Sequence, residues 1–122
     1  MASQPNIYIG TAIGAAMTEK KFPKYIALGP ETSTDAARAS LARSLERTGL
    51  AQLAAARSGR AFTLWHHFYN TPMHVAAVQA MAKWFHPDRF RDLDPDRTLA
   101  EYFRRFQPVP LTGVYWAGIA DP

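Results

Sequence analysis

The sequence predicts an α/β fold, with a short and mostly parallel sheet between helices in a three-layer αβα arrangement. Short runs of β-branched and aromatic residues end at glycine or proline, which is typical of strands. Longer segments repeat apolar residues at helical spacing and begin at residues that cap helices. Because strands and helices alternate along the chain, we expect a parallel βαβ unit.

The composition is that of one small globular domain spanning residues 1–122. Hydrophobic residues make up 48% of the chain and charged residues 20%, so a disordered chain is not expected. No apolar run approaches the roughly 20 residues that span a bilayer, and the first nine residues lack the regions of a signal peptide. The absence of cysteine excludes disulfides and thiolate chemistry. The net charge of +4 comes from scattered basic residues beside acidic ones, so we expect a solvated surface and no nucleic-acid partner.

Three segments are predicted to be strands. The first is Asn6–Gly10, the second is Tyr25–Leu28 between Pro23 and Gly29, and the third is Ala61–Trp65. Residues 11–24 between the first two are expected to form a loop. The tail over residues 112–119 is expected to be an extended segment laid over the domain.

The first long helix is predicted to begin at Ser33 or Thr34, whose hydroxyl caps it, and to end before Gly49. Its apolar stripe consists of Ala37, Leu41, Leu45 and Thr48. A short turn or second helix is expected over residues 50–56.

Two later helices are marked by proline near their first residue. One is predicted to be capped by Asn70 or Thr71, with Pro72 at its first position, and to end before Pro87. Its predicted buried stripe consists of Val75, Val78, Met81, Ala82 and Phe85. The other is predicted to begin at Asp94-Pro95 and to end before Pro108. Its predicted buried face consists of Leu99, Tyr102, Phe103 and Phe106.

The segment Trp65–Asn70 is the densest group of rings and imidazoles, and it follows the third predicted strand directly. In open α/β sheets, ligands bind outside the carboxyl ends of the strands. Aromatic rings at that place can stack on a ligand and hydrogen-bond it, and the following helix start offers N–H groups to an anion. The segment therefore predicts a ligand-binding site. The alternative is that Trp65 and Phe68 belong to the core and that the two histidines are surface residues.

Catalytic and metal sites have no support in the sequence. His66 and His67 are adjacent and point to opposite faces of an extended chain, while His74 and His86 lie twelve residues apart. No HExxH pattern, phosphate-binding glycine motif, nucleophile elbow or pair of carboxylates occurs. We therefore expect a protein that is not an enzyme, with no metal site and no cofactor.

Three longer runs resemble the C-terminal portion of iron-siderophore class periplasmic binding proteins: residues 58–75, 82–90 and 94–99. Residues 106–116 are similar to the end of such chains, and residues 5–11 resemble the start of their second lobe. The resemblance covers nearly the whole chain and is most specific from Ser58 onward.

This resemblance implies the C-terminal αβα lobe of a two-lobed substrate-binding protein of an ABC importer. The first lobe, the linking helix and the secretory signal of that family are not expected in this chain. The implied ligand is a ferric siderophore or a similar chelate, the implied partner is an ABC permease, and the implied location is the periplasm or the outer face of the cytoplasmic membrane. The ligand-binding residues that the resemblance predicts are Thr11, Arg60, Trp65, His66, His67 and Tyr69. Among them, Arg60 would contribute charge if it faces the cleft.

Two other functions stay open from the sequence. One alternative is a stand-alone interaction or regulatory domain that reuses this lobe. The other, which is less favoured, is a small histidine-based metal hydrolase. An isolated lobe leaves aromatic residues exposed, so we also expect self-association through residues 65–69.

Overall fold

The computed structural model describes residues 3–13 and 25–120. The chain divides into two compact units. The sheet unit comprises Met1–His66 with Thr112–Pro122, and the helical unit comprises His67–Leu111. The predicted α/β class is confirmed.

The described residues contain a three-stranded sheet, built from β1 (Tyr8–Ala12), β2 (Ala61–Trp65) and β3 (Trp116–Gly118) in that spatial order. Strands β1 and β2 run parallel, and β3 runs antiparallel to β2. The sheet is therefore mixed, with its parallel pair formed by the first and third predicted strands. Strand β2 has its predicted bounds, whereas β1 begins and ends two residues later than predicted. The predicted extended tail contributes the antiparallel strand.

The prediction of a strand at Tyr25–Leu28 is wrong. Ile26 and Leu28 are buried in the core, but the segment joins no ladder of the sheet. The amide of Ala27 instead donates to the hydroxyl oxygen of Ser40 at 2.9 Å, so a helix side chain takes the donor that a neighbouring strand would use. Of the predicted loop that follows β1, residues 14–24 lie outside the described residues, and its first two residues belong to β1.

Helix α1 spans Thr34–Arg47 and confirms the predicted signals at both ends. The hydroxyl of Ser33 accepts a hydrogen bond from the amide of Ala36 at 3.1 Å, which satisfies one of the free donors of the first turn. Gly49 follows the helix with a φ of 75°, a left-handed conformation that glycine adopts without steric cost. A 3₁₀ turn (Leu50–Gln52) and the short helix α2 (Ala54–Arg57) come next, as expected.

The core of the sheet unit lies between the sheet and α1. Each of its buried leucines contributes about 1.5 to 3 kcal/mol through removal from water. Its buried members are Ala12, Ile26, Leu28, Ala37, Leu41, Leu45, Ala61 and Ala117. Thr48, the last residue of the predicted α1 stripe, is exposed at the end of the helix.

Helix α3 spans His74–Phe85 in the helical unit and begins later than predicted. Met73 occupies the capping position and no side chain caps the helix, so the prediction of a cap at Asn70 or Thr71 is wrong. Asn70 instead ends a 3₁₀ helix, and the carbonyl of Thr71 accepts hydrogen bonds from the amide and the ring Nδ1 of His74.

The predicted buried stripe of α3 is also wrong. The buried residues of this helix are Ala76, Ala77 and Ala80, whereas Val78 is 53% exposed. Val75 and Phe85 are exposed as well, and Met81 and Ala82 are half-buried. The helix has two apolar faces, one formed by the alanines and one by the larger side chains. They are rotated by about 100° around the helix axis, which is the angle between successive residues. The alanine face is the buried one, and periodicity alone does not tell the two apart.

Helix α4 spans Pro95–Phe106 and begins as predicted. The carboxylate of Asp94 accepts a hydrogen bond from the amide of Arg97 at 2.9 Å. Leu99 is buried and Tyr102 and Phe103 are half-buried, but Phe106 is 67% exposed, so its predicted burial is wrong. The Phe106 ring lies 5.6 Å from that of Tyr102 between centroids, and Phe106 is the last residue of the helix. Neither α4 nor any other helix in the described ranges has the length and apolarity to cross a membrane.

Candidate functional site

The two parallel strands of the sheet unit end at the same level. Ala12, the last residue of β1, is paired with Trp65, the last residue of β2. We call this end of the sheet, from Thr11 and Ala12 across Trp65 and His66, the carboxyl edge. The sequence-based expectation that the β2–helix connection leaves the carboxyl end of a parallel strand is therefore met.

Trp65 is half-buried at this edge, with part of its indole packed on the core of the sheet unit. Its ring stands edge-to-face with Tyr115, with ring centroids 5.0 Å apart and planes at 87°. Its backbone amide donates to the carbonyl of Tyr115 at 2.8 Å. The indole is thus anchored on one side and keeps an exposed part.

Thr11 lies at the same edge but on the other face of the sheet. It is paired with Leu64, and successive side chains of a strand point to opposite faces, so Thr11 and Trp65 project in opposite directions. Thr11 is exposed. The structure therefore brings these two predicted residues to one edge without bringing their side chains together.

The remaining ring residues follow β2 in a 3₁₀ helix, His66–Asn70. His66, in the sheet unit, is exposed. In the helical unit, His67 and Tyr69 are exposed, the latter at 71%, and Phe68 is buried. The alternative interpretation of this segment thus fits Phe68, which is a core residue, and the two histidines, which lie at the surface.

Arg60 lies at the opposite end of β2. Its amide donates to the carbonyl of Ala55 at 2.7 Å, and its carbonyl accepts from the amide of Tyr8 at 3.1 Å. Five residues separate it from Trp65 along the strand, which corresponds to about 16 Å. The structure therefore does not bring Arg60 to the carboxyl edge.

Arg60 instead lines a groove of about 350 Å³ together with Asn6, Ala54 and Ser58. A neighbouring groove of about 400 Å³ shares Ala54 and Ser58 and adds Arg57. In the helical unit, a further groove of about 390 Å³ lies at the end of α4, along the segment Gln107–Leu111. None of these three grooves involves the carboxyl edge.

The histidines of the described residues are not gathered into a metal-binding group. No three His, Asp or Glu side chains in the described ranges come together in a way that holds a metal ion. The ring of His74 is bound to the carbonyl of Thr71, and that of His86 lies beside Phe90 at 6.3 Å between centroids. The histidine-based hydrolase therefore gains no support from these residues.

Tyr115 is the residue of this edge that the sequence analysis did not single out. It is only 5% exposed, and its burial raises the pKa of the phenol above its usual value, so the ring stays neutral. The available signal was the short apolar run at residues 114–119, which is consistent with a buried strand but does not specify which residue lies beside Trp65.

No protein-family model and no curated protein matches the chain in sequence. Among solved structures, the chain is similar to the crystal structure of a TroA-like periplasmic binding protein, FepB from Veillonella parvula. The TM-score is 0.81 with 28% sequence identity, over 94% of this chain. The chain spans 32% of the length of that protein.

Proposed function

We propose that this chain, which has the fold of one lobe of a TroA-like periplasmic binding protein, serves in substrate binding for an ABC importer. The observation that carries the proposal is the half-exposed Trp65 at the carboxyl edge of two parallel strands. Ligands of open α/β sheets bind outside this end of the strands. The role is one of binding and handover, without catalysis.

The proposed chemistry at the edge is stacking and hydrogen bonding. The exposed part of the Trp65 indole offers a flat apolar surface to a ring of the ligand, and its N–H is a donor. His66 follows it directly and is accessible to solvent. Thr11 offers a hydroxyl from the other face of the same edge, and in the helical unit His67 and Tyr69 are proposed as further contacts. Arg60 does not enter the proposal at this edge.

We propose a ferric siderophore or a similar iron chelate as the ligand class. The likeness of residues 58–75 and 82–90 to iron-siderophore class binding proteins supports this class. Aromatic rings and single imidazoles can stack on the organic shell of a chelate and hydrogen-bond it, whereas a bare ion needs a gathered set of ligands, which the described residues do not form. A permease partner and a periplasmic or membrane-attached location belong to the same proposal.

A titration with chelates of different chemistry tests the proposal. The protein, labelled with ¹⁵N at its indoles, is titrated with gallium complexes of enterobactin, a catecholate, and of desferrichrome, a hydroxamate. Gallium replaces iron so that paramagnetic broadening does not obscure the contacts. We expect saturable shifts of the Trp65 indole resonance with at least one complex, and smaller shifts of Trp84 in α3. Unchanged Trp65 resonances up to millimolar concentrations of both complexes would contradict the proposal.

An interaction domain is the second candidate, and the outer face of α3 favours it. Val75, Val78 and Phe85 expose apolar side chains along one helix face, and surfaces of this kind commonly pack against another protein segment. Sedimentation velocity at rising protein concentration separates the two functions. Association that is lost in a Val78→Ser, Phe85→Ser variant, together with a silent chelate titration, would favour the interaction domain.

A further inference from the structure

We infer that Tyr115 is a positioning residue, which holds the indole of Trp65 in one orientation at the carboxyl edge. The inference rests on the proposed function, because it assigns Tyr115 a part in ligand binding through Trp65. It concerns a residue outside the ring segment 65–70.

The sheet brings the two rings together. Leu64 is paired with Trp116 in the antiparallel register, and the next residue on each strand is Trp65 and Tyr115. Residues directly opposite each other in an antiparallel pair project to the same face, with their Cβ atoms close together. The edge-to-face contact at 5.0 Å is the geometry that aromatic pairs prefer.

Tyr115 is itself fixed from both sides along its own chain. The residue after it, Trp116, begins β3 and is paired with β2. The residue before it, Val114, accepts a hydrogen bond at 2.7 Å from the amide of Gly29, in a bridge outside the strands. Only 5% of the residue is exposed, so Tyr115 is buried beside Trp65.

On the side of β1, the residue paired with Trp65 is small. In the parallel register its partner is Ala12, whose side chain is a single methyl group. Across this row of the sheet, Trp65 is therefore flanked by the methyl group of Ala12 on one strand and by the ring of Tyr115 on the other. Without that ring, the indole gains rotamers that binding must remove again.

Ordering one such side chain on binding costs enough to weaken affinity by up to about tenfold. We therefore expect Tyr115→Leu to weaken binding of the gallium chelate found in the titration by about five- to tenfold. Tyr115→Phe keeps the ring and is expected to bind within about twofold of the native protein. Phe103→Leu, which removes a half-buried ring of the helical unit, is the matched control and is expected to leave affinity unchanged.

A spectroscopic readout tests the positioning without any ligand. The protein is labelled with 5-fluorotryptophan, and the Trp65 signal is assigned from the Trp65→Phe variant. In Tyr115→Leu we expect the ¹⁹F signal of Trp65 to move toward that of free fluorotryptophan and to gain a larger H₂O/D₂O solvent shift. In Tyr115→Phe and Phe103→Leu we expect it to stay in place.

The outcomes separate the inference from the proposed function. A folded Tyr115→Leu protein with an unchanged Trp65 signal overturns the inference, whatever the chelates do. A displaced Trp65 signal with unchanged chelate affinity also overturns it, because Tyr115 then orders a ring that the ligand does not use. If no chelate binds the native protein, the proposed function fails, and with it the assigned role of Tyr115, even where the fluorine signal moves.

Discussion

The carbonyl oxygen of Gly29 lies so close to Gly113 that a Cβ atom at position 113 would overlap it. A side chain at position 113 would also approach the amide of Glu31 to 2.8 Å, closer than any ordinary contact. Gly113 has a φ of 78°, a left-handed conformation that favours glycine. The turn that begins at Gly29 and the bridge residue Val114 can therefore meet only because position 113 has no side chain.

Gly113→Ala is expected to destabilise the protein by about 3 kcal/mol or more, because it combines backbone strain with overlap on backbone atoms. Gly49→Ala is the matched control, since Gly49 has a φ of 75° and no atom within 4 Å of the added methyl group. It is expected to cost only about 1 kcal/mol. Urea unfolding of both variants measures the difference. Equal losses would show that the close approach at Gly113 is not as described.

Glu31 carries backbone strain in the same turn. Its φ is 63°, and the amide of Thr32 donates to the carbonyl of Gly29 at 3.2 Å, so Glu31 holds the turn position that favours glycine. Glu31→Gly is expected to raise the free energy of unfolding by about 0.5 to 1 kcal/mol, because glycine relieves the strain and offsets its own entropy cost. Glu31→Ala keeps the strain and is the control, for which we expect no gain. A loss of stability in Glu31→Gly would count against the turn.

The inward face of α3 gives a test of its packing. Ala77→Leu inserts a large side chain into a buried position and is expected to cost about 1 to 3 kcal/mol in the free energy of unfolding. Val78 is the next residue and is about half exposed. Val78→Leu is therefore expected to change the free energy of unfolding by less than about 0.5 kcal/mol. Thermal or urea unfolding compares the two variants. If the costs are reversed, the valine face is the buried one.

Glu101 is expected to titrate far below an ordinary glutamate. Hydrogen bonds from Arg104, and secondly from Arg105, lower its pKa from 4.5 to about 2. Because the pKa is lowered in the folded state, these bonds stabilise the fold fully above about pH 4.5, and the stabilisation is lost as the pH falls toward 2. The carboxyl ¹³C shift of Glu101, followed by NMR between pH 6 and 2, measures the titration. A midpoint near 4.5 would contradict the described contacts, and Arg104→Gln is expected to move the midpoint upward.

The sequence predicted well those elements whose ends are determined by neighbouring residues. The Ser33 cap with Gly49 at the other end set the bounds of α1, and Asp94-Pro95 set the start of α4. The bounds of β2 followed from a short run of strand-forming residues between breakers. In each case the residues that predict the element lie within a few residues of the boundary that they determine.

What the sequence did not predict depends on distant residues. The segment at 25–28 has strand-like composition, but Ser40, far along the chain, takes the amide of Ala27. The buried face of α3 depends on which of two apolar faces finds a partner, and composition favoured the larger side chains. The contact of Tyr115 with Trp65 depends on the antiparallel register of β3, which no local pattern specifies.

The affinity of a Trp65 variant for a chelate tests the central claim most directly. The proposal predicts that Trp65→Leu weakens binding of the best chelate by at least about fivefold, because stacking on an aromatic ring contributes on the order of 1 kcal/mol or more. Trp84→Leu, in α3, is the matched control and is expected to bind as the native protein does. Isothermal titration calorimetry gives the dissociation constants. Native affinity in a folded Trp65→Leu protein would contradict the account, since the carboxyl edge would then not be where the ligand binds.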